Sequence, residues 1–196
     1  MIAEAVPVTG VELAPEVRLL DARPAGLTPS VLRAQARAET GSAGARFVAR
    51  SYRYPYALLA WHSDRVGVDL ERIEACDEGF ARSVCTPAEL AELAQAVDPD
   101  LYATSLWCSK EALCKALGNA LDYDPRRLDA PCRWPAGRSG PWHALPLWVV
   151  AEHTAWLCWR STPDGDAVKR APFGDGTPVA ERIARPGRAP RPPTIS

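Results

Sequence analysis

The residues 66–71 combine two carboxylates with a spacing that suits a metal ion. They read Val-Gly-Val-Asp-Leu-Glu, so apolar side chains alternate with the others. Alternation of period two predicts a strand with one apolar face and one acidic face. Asp69 and Glu71 then lie on the same face, with Cα atoms about 7 Å apart. Two carboxylates so placed can share a hard cation such as Mg²⁺. The alternative is an exposed strand face that is simply acidic.

A second stretch, residues 107–115, places an aromatic, a carboxylate and an ammonium group at helical spacing. It reads Trp-Cys-Ser-Lys-Glu-Ala-Leu-Cys-Lys. Trp107, Glu111 and Lys115 are four residues apart and fall on one helix face. Such a stripe is usually only a solvated face. If this helix faces the acidic strand, however, Glu111 supplies a third carboxylate to the same cation.

Together the two stretches resemble the signature of the 4′-phosphopantetheinyl transferase superfamily. Its members carry a G-[VI]-D-x-E strand followed by a W-x-x-K-E-A-x-x-K helix. Here the strand reads Gly-Val-Asp-Leu-Glu at 67–71 and the helix occupies 107–115, in the same order and at a similar separation. The resemblance is firm from about Ala57 to Pro125.

The resemblance implies an enzyme that transfers the 4′-phosphopantetheine arm from coenzyme A to a serine of an apo acyl or peptidyl carrier protein. It implies that Asp69, Glu71 and Glu111 hold Mg²⁺ and that Glu111 is the general base. Lys115, with Lys110, would stabilise the charge on the departing 3′,5′-bisphosphoadenosine. The implied fold is α+β, with two pseudo-symmetric α+β lobes in one chain. Two lobes in one chain favour a monomer.

Coenzyme binding is where the chain departs from the superfamily. The S-H-S motif that precedes the acidic strand reads Ser51-Tyr52-Arg53 here, so Tyr52 replaces a histidine that contacts a coenzyme phosphate. Ser51 is kept, and Arg53 or Arg50 is a candidate substitute for the histidine. In the loop after the helix, Ala120 stands where a second glycine is usual. A diverged member that has lost coenzyme A and catalyses or binds something else in a biosynthetic pathway therefore remains an alternative.

Local signals place these motifs on strands and helices. Thr28-Pro29 predicts the start of a helix that ends near Ala38, and Thr86 with Glu89 forms a capping box. His62 lies in a predicted turn of a hairpin between the strands 57–61 and 66–71. Further elements are predicted as follows: strand 17–20, helix 78–84, helix 89–97, central helix 101–117 capped by Asp100 and ended by Gly118, and a hairpin of 145–150 with 155–159.

The predicted domain limits follow from these patterns. Residues 1–75 form a shortened N-terminal α+β lobe, and residues 76–161 form the C-terminal lobe with the central helix. Residues 162–196 are rich in Pro, Gly and Arg without hydrophobic periodicity, which predicts a disordered tail. In the first lobe, Arg33 and Arg37 share a helix face. They are either solvated or, as the resemblance implies, near the coenzyme phosphates.

Composition excludes several other classes of protein. The net charge of -1 and the lack of a basic aromatic patch argue against nucleic-acid binding. There is no run of 18 apolar residues that would span a membrane. The six cysteines form no C-x-x-C pair, which predicts reduced thiols packed as small hydrophobic groups in a cytoplasmic protein.

Overall fold

The computed structural model describes residues 14–42, 44, 47–118 and 123–161. Within these ranges the chain combines helices with two antiparallel sheets, which confirms the α+β class. The predictions for Ala120 and for the tail lie outside the described residues. The elements are β1 (Glu16–Asp21), α1 (Pro29–Ser42), β2 (Phe47–Arg53), β3 (Tyr56–His62), β4 (Val66–Arg72), α2 (Glu78–Val84), α3 (Pro87–Leu93), α4 (Pro99–Leu117), β5 (Arg138–Ser139), β6 (Trp142–Leu147) and β7 (His153–Arg160).

The first sheet has the strand order β1-β3-β2, with β3 in the centre. All seven residues of β3 are buried, including His62, which ends the strand instead of lying in a loop. The predicted hairpin with the strand 66–71 is wrong. Because β1 and β2 occupy both edges of β3, the chain must leave this sheet after His62, and β4 pairs with β7 instead.

The second sheet has the order β4-β7-β6-β5. The predicted hairpin near the end of the domain is confirmed, with Leu145 opposite Leu157 and with β6 ending at Leu147. Strand β4, which the prediction assigned to the first lobe, belongs to this second sheet. The change of sheet therefore falls at residues 63–65, and the predicted domain limits remain a prediction. Two pseudo-symmetric lobes remain a prediction.

The apolar face of β4 packs into a core that both sheets share. Its buried members come from the first sheet and from β4 and β7 of the second: Val17, Ala49, Tyr56, Leu58, Ala60, Val66, Val68, Leu70, Ala155, Leu157 and Trp159. Helix α1 packs through Leu32 and Ala36 against the first sheet. Helix α4 packs against the second sheet, with Leu106 and Ala112 in one cluster with Trp156. The other face of β4 is thereby turned to α4.

Helix ends follow the sequence signals in most cases. Thr86 and Glu89 form the predicted capping box at the start of α3, although this helix ends at Leu93 and not at Val97. The cap of α4 is Asp98, whose carboxylate accepts a hydrogen bond from Leu101 N at 3.0 Å. The prediction of Asp100 as this cap is wrong, because the helix starts at Pro99 and Asp100 lies inside its first turn. The Asp100 carboxylate instead accepts a hydrogen bond from Cys76 N at 2.8 Å. Pro99 suits the first helical position because no N–H is needed there.

The start of α1, the end of α4 and the cysteines agree with expectation, whereas the end of α1 does not. Helix α1 starts at Pro29, with Thr28 Oγ1 accepting a hydrogen bond from Val31 N at 3.4 Å, and continues to Ser42, past the predicted end. Gly118 ends α4 in the left-handed conformation, at φ 80°. All six cysteines are free thiols, five of them buried. Among the described residues no helix is both long and apolar enough to cross a bilayer.

Candidate active site

The site begins with a close contact between β4 and α4 at Gly67. A Cβ atom at Gly67 would lie 1.9 Å from the carbonyl oxygen of Ala112 and 2.5 Å from the backbone nitrogen of Ala116. Only glycine allows the two backbones to approach this closely. Asp69 shares this face of the strand, so the contact brings its carboxylate against the central helix.

Asp69 is the most buried carboxylate of the predicted set, with 2% of its surface exposed. Its Oδ1 atom accepts hydrogen bonds from Ser51 Oγ at 2.8 Å and from Lys115 Nζ at 2.6 Å. Its Oδ2 atom is buried and has no hydrogen-bond partner among the described residues. The Cys108 thiol is fully buried beside it, and burial together with the Asp69 charge raises the pKa of that thiol. Cys108 is therefore a neutral neighbour.

Ser51 connects the first sheet to this carboxylate. Its hydroxyl donates to Asp69 and accepts a hydrogen bond from Leu70 N at 3.2 Å, so β2 lies beside the free edge of β4. The single hydroxyl hydrogen is engaged with Asp69. In this structure Ser51 orients the carboxylate, and its predicted contact with coenzyme A remains a prediction.

The two candidate substitutes for the motif histidine lie on opposite faces of β2. Arg53 forms an ion pair with Glu71 and has a side chain 45% exposed. Arg50 points toward α1, where its Nη1 donates to Thr40 Oγ1 at 2.6 Å. Tyr52 shares the face of Arg50 and lies under the guanidinium of Arg33. Of the two candidates, Arg53 contacts an acidic residue of the site, whereas Arg50 contacts Thr40 of α1.

Glu111 has a partner that the sequence pattern did not reveal. The hydroxyl of Tyr123 donates a hydrogen bond to Glu111 Oε1. Burial, followed by this hydrogen bond and by the charges of Glu111 and Asp69, raises the pKa of Tyr123 well above its usual range. Tyr123 therefore lies near both carboxylates. No periodicity or motif singles out a tyrosine in the loop after the helix.

The stripe of Trp107, Glu111 and Lys115 forms as predicted, and all three side chains are half-buried. Lys115 donates to Val68 O at 3.3 Å as well as to Asp69, while 26% of its side chain stays exposed. Trp107 packs edge-on against Phe80 with ring centroids 6.3 Å apart. The tryptophan is a packing residue, and the lysine is both anchored and accessible.

Lys110 does not join the site, which contradicts its predicted role in coenzyme binding. Its side chain has no exposed surface. The ammonium donates to Glu89 Oε2 at 2.6 Å, to Val84 O at 2.7 Å and to Pro125 O at 2.8 Å. Three acceptors use its three donors, so none is left for a phosphate. Glu89, predicted only as part of a capping box, is the buried counter-ion.

The candidate ligands fit Mg²⁺ in their chemistry but are not gathered around one point. The described residues contain no group of three side chains close enough together to hold a metal ion, so the predicted three-carboxylate cluster is not assembled. Asp69, Glu71 and Glu111 are instead paired with Lys115, Arg53 and Tyr123, respectively. Their chemistry still fits a hard cation, because all are carboxylates and Asp69 Oδ2 is buried without a hydrogen bond. Asp69 is the ligand that the geometry favours most.

Comparison with known proteins found similarity over part of this chain. Residues 65–144 match the family model of the 4′-phosphopantetheinyl transferase superfamily, which confirms the resemblance seen in the sequence. The crystal structure of Thermotoga maritima holo-[acyl-carrier-protein] synthase is similar over 48% of this chain, with 18% sequence identity and a TM-score of 0.39. The similar region spans 61% of that relative's chain. No curated protein matched.

Proposed function

We propose that this protein transfers the 4′-phosphopantetheine arm from coenzyme A to a serine of an apo acyl or peptidyl carrier protein. The observation that supports this most is the contact of Asp69 with Lys115 across the β4–α4 junction, inside the region that matches the superfamily. It brings the strand motif and the helix motif into direct contact. We further propose that the enzyme acts as a cytoplasmic monomer.

The described residues do not gather Asp69, Glu71 and Glu111 around one point, so these carboxylates would have to close around Mg²⁺ to hold it. Asp69 Oδ2 is the candidate ligand atom that is already free of hydrogen bonds. When bound, this ion would neutralise the pyrophosphate of the coenzyme. Arg53 would approach the same pyrophosphate from β2, because more than two fifths of its side chain is exposed beside Glu71. Ser51 keeps Asp69 in place during binding. Arg50 is the candidate for the remaining phosphate on the α1 side.

Glu111 is the proposed general base. It takes the proton of the carrier serine while the serine oxygen forms a bond to the phosphorus that carries the pantetheine arm. The bond from that phosphorus to the bridging oxygen breaks, and 3′,5′-bisphosphoadenosine leaves with the electron pair. The ammonium of Lys115, which is partly exposed, stabilises the charge that develops on the leaving group.

The second candidate is a protein of the same fold that has lost coenzyme A and acts on another ligand in a biosynthetic pathway. The position of Tyr52 favours it. This side chain takes the place of the motif histidine and is covered by Arg33, with ring and guanidinium 5.7 Å apart. Calorimetric titration with coenzyme A, with and without Mg²⁺, separates the two candidates, since only the transferase requires tight Mg²⁺-dependent binding.

The direct test is modification of apo carrier proteins followed by intact mass. The wild-type protein with coenzyme A and Mg²⁺ is expected to add one phosphopantetheine group to at least one fatty-acid, polyketide or peptide carrier. Glu111→Gln should lower the turnover number about 100- to 10,000-fold, because the amide cannot accept the serine proton.

Glu92→Gln is the matched control. Glu92 also accepts a hydrogen bond from a tyrosine hydroxyl, that of Tyr102, but it belongs to α3 and not to the β4–α4 junction. This variant should transfer at the wild-type rate. Near-native turnover of Glu111→Gln would refute the assignment of the base. A wild-type protein that neither binds coenzyme A nor modifies any carrier would refute the transferase function.

A further inference from the structure

We propose that Tyr123 is a positioning residue that orients the Glu111 carboxylate for cation binding and proton transfer. This inference deepens the proposed function and rests on it. The Tyr123 hydroxyl donates to Oε1 of Glu111, and the second oxygen takes no part in that hydrogen bond. One oxygen is thus fixed by the protein while the other remains for Mg²⁺ or for the serine proton.

Tyr123 is held in place by its neighbours along the chain. Pro125 O, two residues further on, accepts a hydrogen bond from the buried ammonium of Lys110. The Asp124 carboxylate caps the short turn Pro125–Arg127 by accepting a hydrogen bond from Arg126 N at 3.0 Å. Lys110 directly precedes Glu111 on α4. The tyrosine is therefore anchored to the same helix turn as the carboxylate that it contacts, and this fixes where its hydroxyl can lie.

Glu111 needs such a partner because its own helix does not hold it. It lies on the half-buried stripe of α4, and the described contacts give its carboxylate no hydrogen bond other than that from Tyr123. A long carboxylate side chain without a partner samples several rotamers, and ordering it on ligand binding costs conformational free energy. Hydrogen bonds to a metal-ligating carboxylate remove that cost in advance, and their loss typically weakens metal binding or activity 10- to 100-fold.

The test compares Tyr123→Phe with Tyr102→Phe. Both substitutions remove a tyrosine hydroxyl that donates to a glutamate, but Tyr102 contacts Glu92, at 2.5 Å, on the side of α3. The readouts are calorimetric titration with Mg²⁺ in the presence of coenzyme A, and thermal unfolding without ligand. Tyr123→Phe should weaken Mg²⁺ binding about 10- to 100-fold, whereas Tyr102→Phe should bind Mg²⁺ like the wild type.

A double-mutant cycle with Glu111→Gln separates positioning from a general effect on the fold. If Tyr123 acts through Glu111, then Tyr123→Phe has no further effect on Mg²⁺ binding in the Glu111→Gln background. Additive effects would overturn the proposal, as would unchanged Mg²⁺ binding by Tyr123→Phe in a protein that modifies carriers. Weakened Mg²⁺ binding by Tyr123→Phe in a protein that modifies no carrier would support positioning while refuting the transferase function.

Discussion

Two lysines on α4, Lys110 and Lys115, show how burial decides what a side chain can do. They are five residues apart, and both belong to the helix motif. Lys115 keeps 26% of its side chain exposed beside Asp69, whereas Lys110 is enclosed with Glu89 and two carbonyl oxygens. The first can meet a phosphate, and the second fixes α3 and the segment at Pro125 to the central helix.

Lys110→Met is therefore expected to act on stability. Removing one partner of a buried ion pair leaves the Glu89 carboxylate with only the more distant Arg133, whose Nη1 lies 3.9 Å from Glu89 Oε1, and breaking a buried pair costs about 3–5 kcal/mol. Urea unfolding measures the loss. The double variant Glu89→Gln with Lys110→Met should lose less than the sum of the single variants, because the unpaired charge is gone. If Lys110→Met instead had normal stability and lost coenzyme A binding, Lys110 would be assigned to the binding of the coenzyme phosphates.

At the level of single residues, spacing predicted part of the site. The alternation in β4 and the four-residue period in α4 placed Asp69, Glu111 and Lys115 on facing surfaces, because those periods follow from backbone geometry. The partners of Glu111 and Lys110 did not follow from any period. Tyr123 and Glu89 reach α4 through tertiary packing, and a local sequence pattern contains no information about which loop or neighbouring helix will supply a hydrogen bond.

At the level of elements, Gly67 sets the distance between β4 and α4. The strand motif begins with this glycine, and the helix backbone at Ala112 and Ala116 occupies the space where its side chain would be. The separation of Asp69 from Lys115 is consequently determined by a contact between two backbones, which side-chain rearrangement cannot relax.

Gly67→Ala tests this contact, with Gly41→Ala as the control. At Gly67 the added methyl group must push the helix from the strand, with an expected loss of about 1–3 kcal/mol or more in the free energy of unfolding. Gly41 lies exposed in α1, and among the described residues no atom outside its own helix backbone and chain neighbours lies within 4 Å of the place that an added methyl group would occupy there. That substitution should instead stabilise the protein by about 0.5–1 kcal/mol. Urea unfolding of both variants is the measurement. Equal free energies of unfolding for the two variants would show that the β4–α4 junction can accommodate the added methyl group.

Pairing between elements was the least predictable feature. The short turn between β3 and β4 is typical of a hairpin, but strand partners are chosen by burial of whole faces and edges. Strand β3 is buried on all sides between β1 and β2, while β4 needs one face toward the shared core and one toward α4. Those requirements come from strands far away in the sequence, so a turn alone could not determine the pairing.

At the level of the whole molecule, the shared core links the two sheets. Leu58 from β3 and Leu157 from β7 are both fully buried in it. The geometry of the candidate site depends on the same link, since Ser51 of the first sheet holds Asp69 of the second. Neither sheet can separate from the other without exposing this core.

We therefore expect a single cooperative unfolding transition. Circular dichroism and tryptophan fluorescence should give coincident urea curves. Leu58→Ala should shift both curves together, with a loss of about 2–5 kcal/mol, and Leu157→Ala should do the same from the other sheet. Two separated transitions, with Leu58→Ala moving only one of them, would show instead that the two lobes unfold independently.

Because most of α4 is buried, packing constrains most residues of the helix motif. Six of the nine residues in the helix motif are buried, and only Trp107, Glu111 and Lys115 reach the surface. Packing alone would keep most of these residues even in a descendant without the proposed activity. Ala112 would be kept because it contacts Gly67, and Lys110 because it forms a buried ion pair with Glu89. The proposed catalysis would therefore be recorded at Glu111 and Lys115, whereas packing accounts for the six buried residues of the motif.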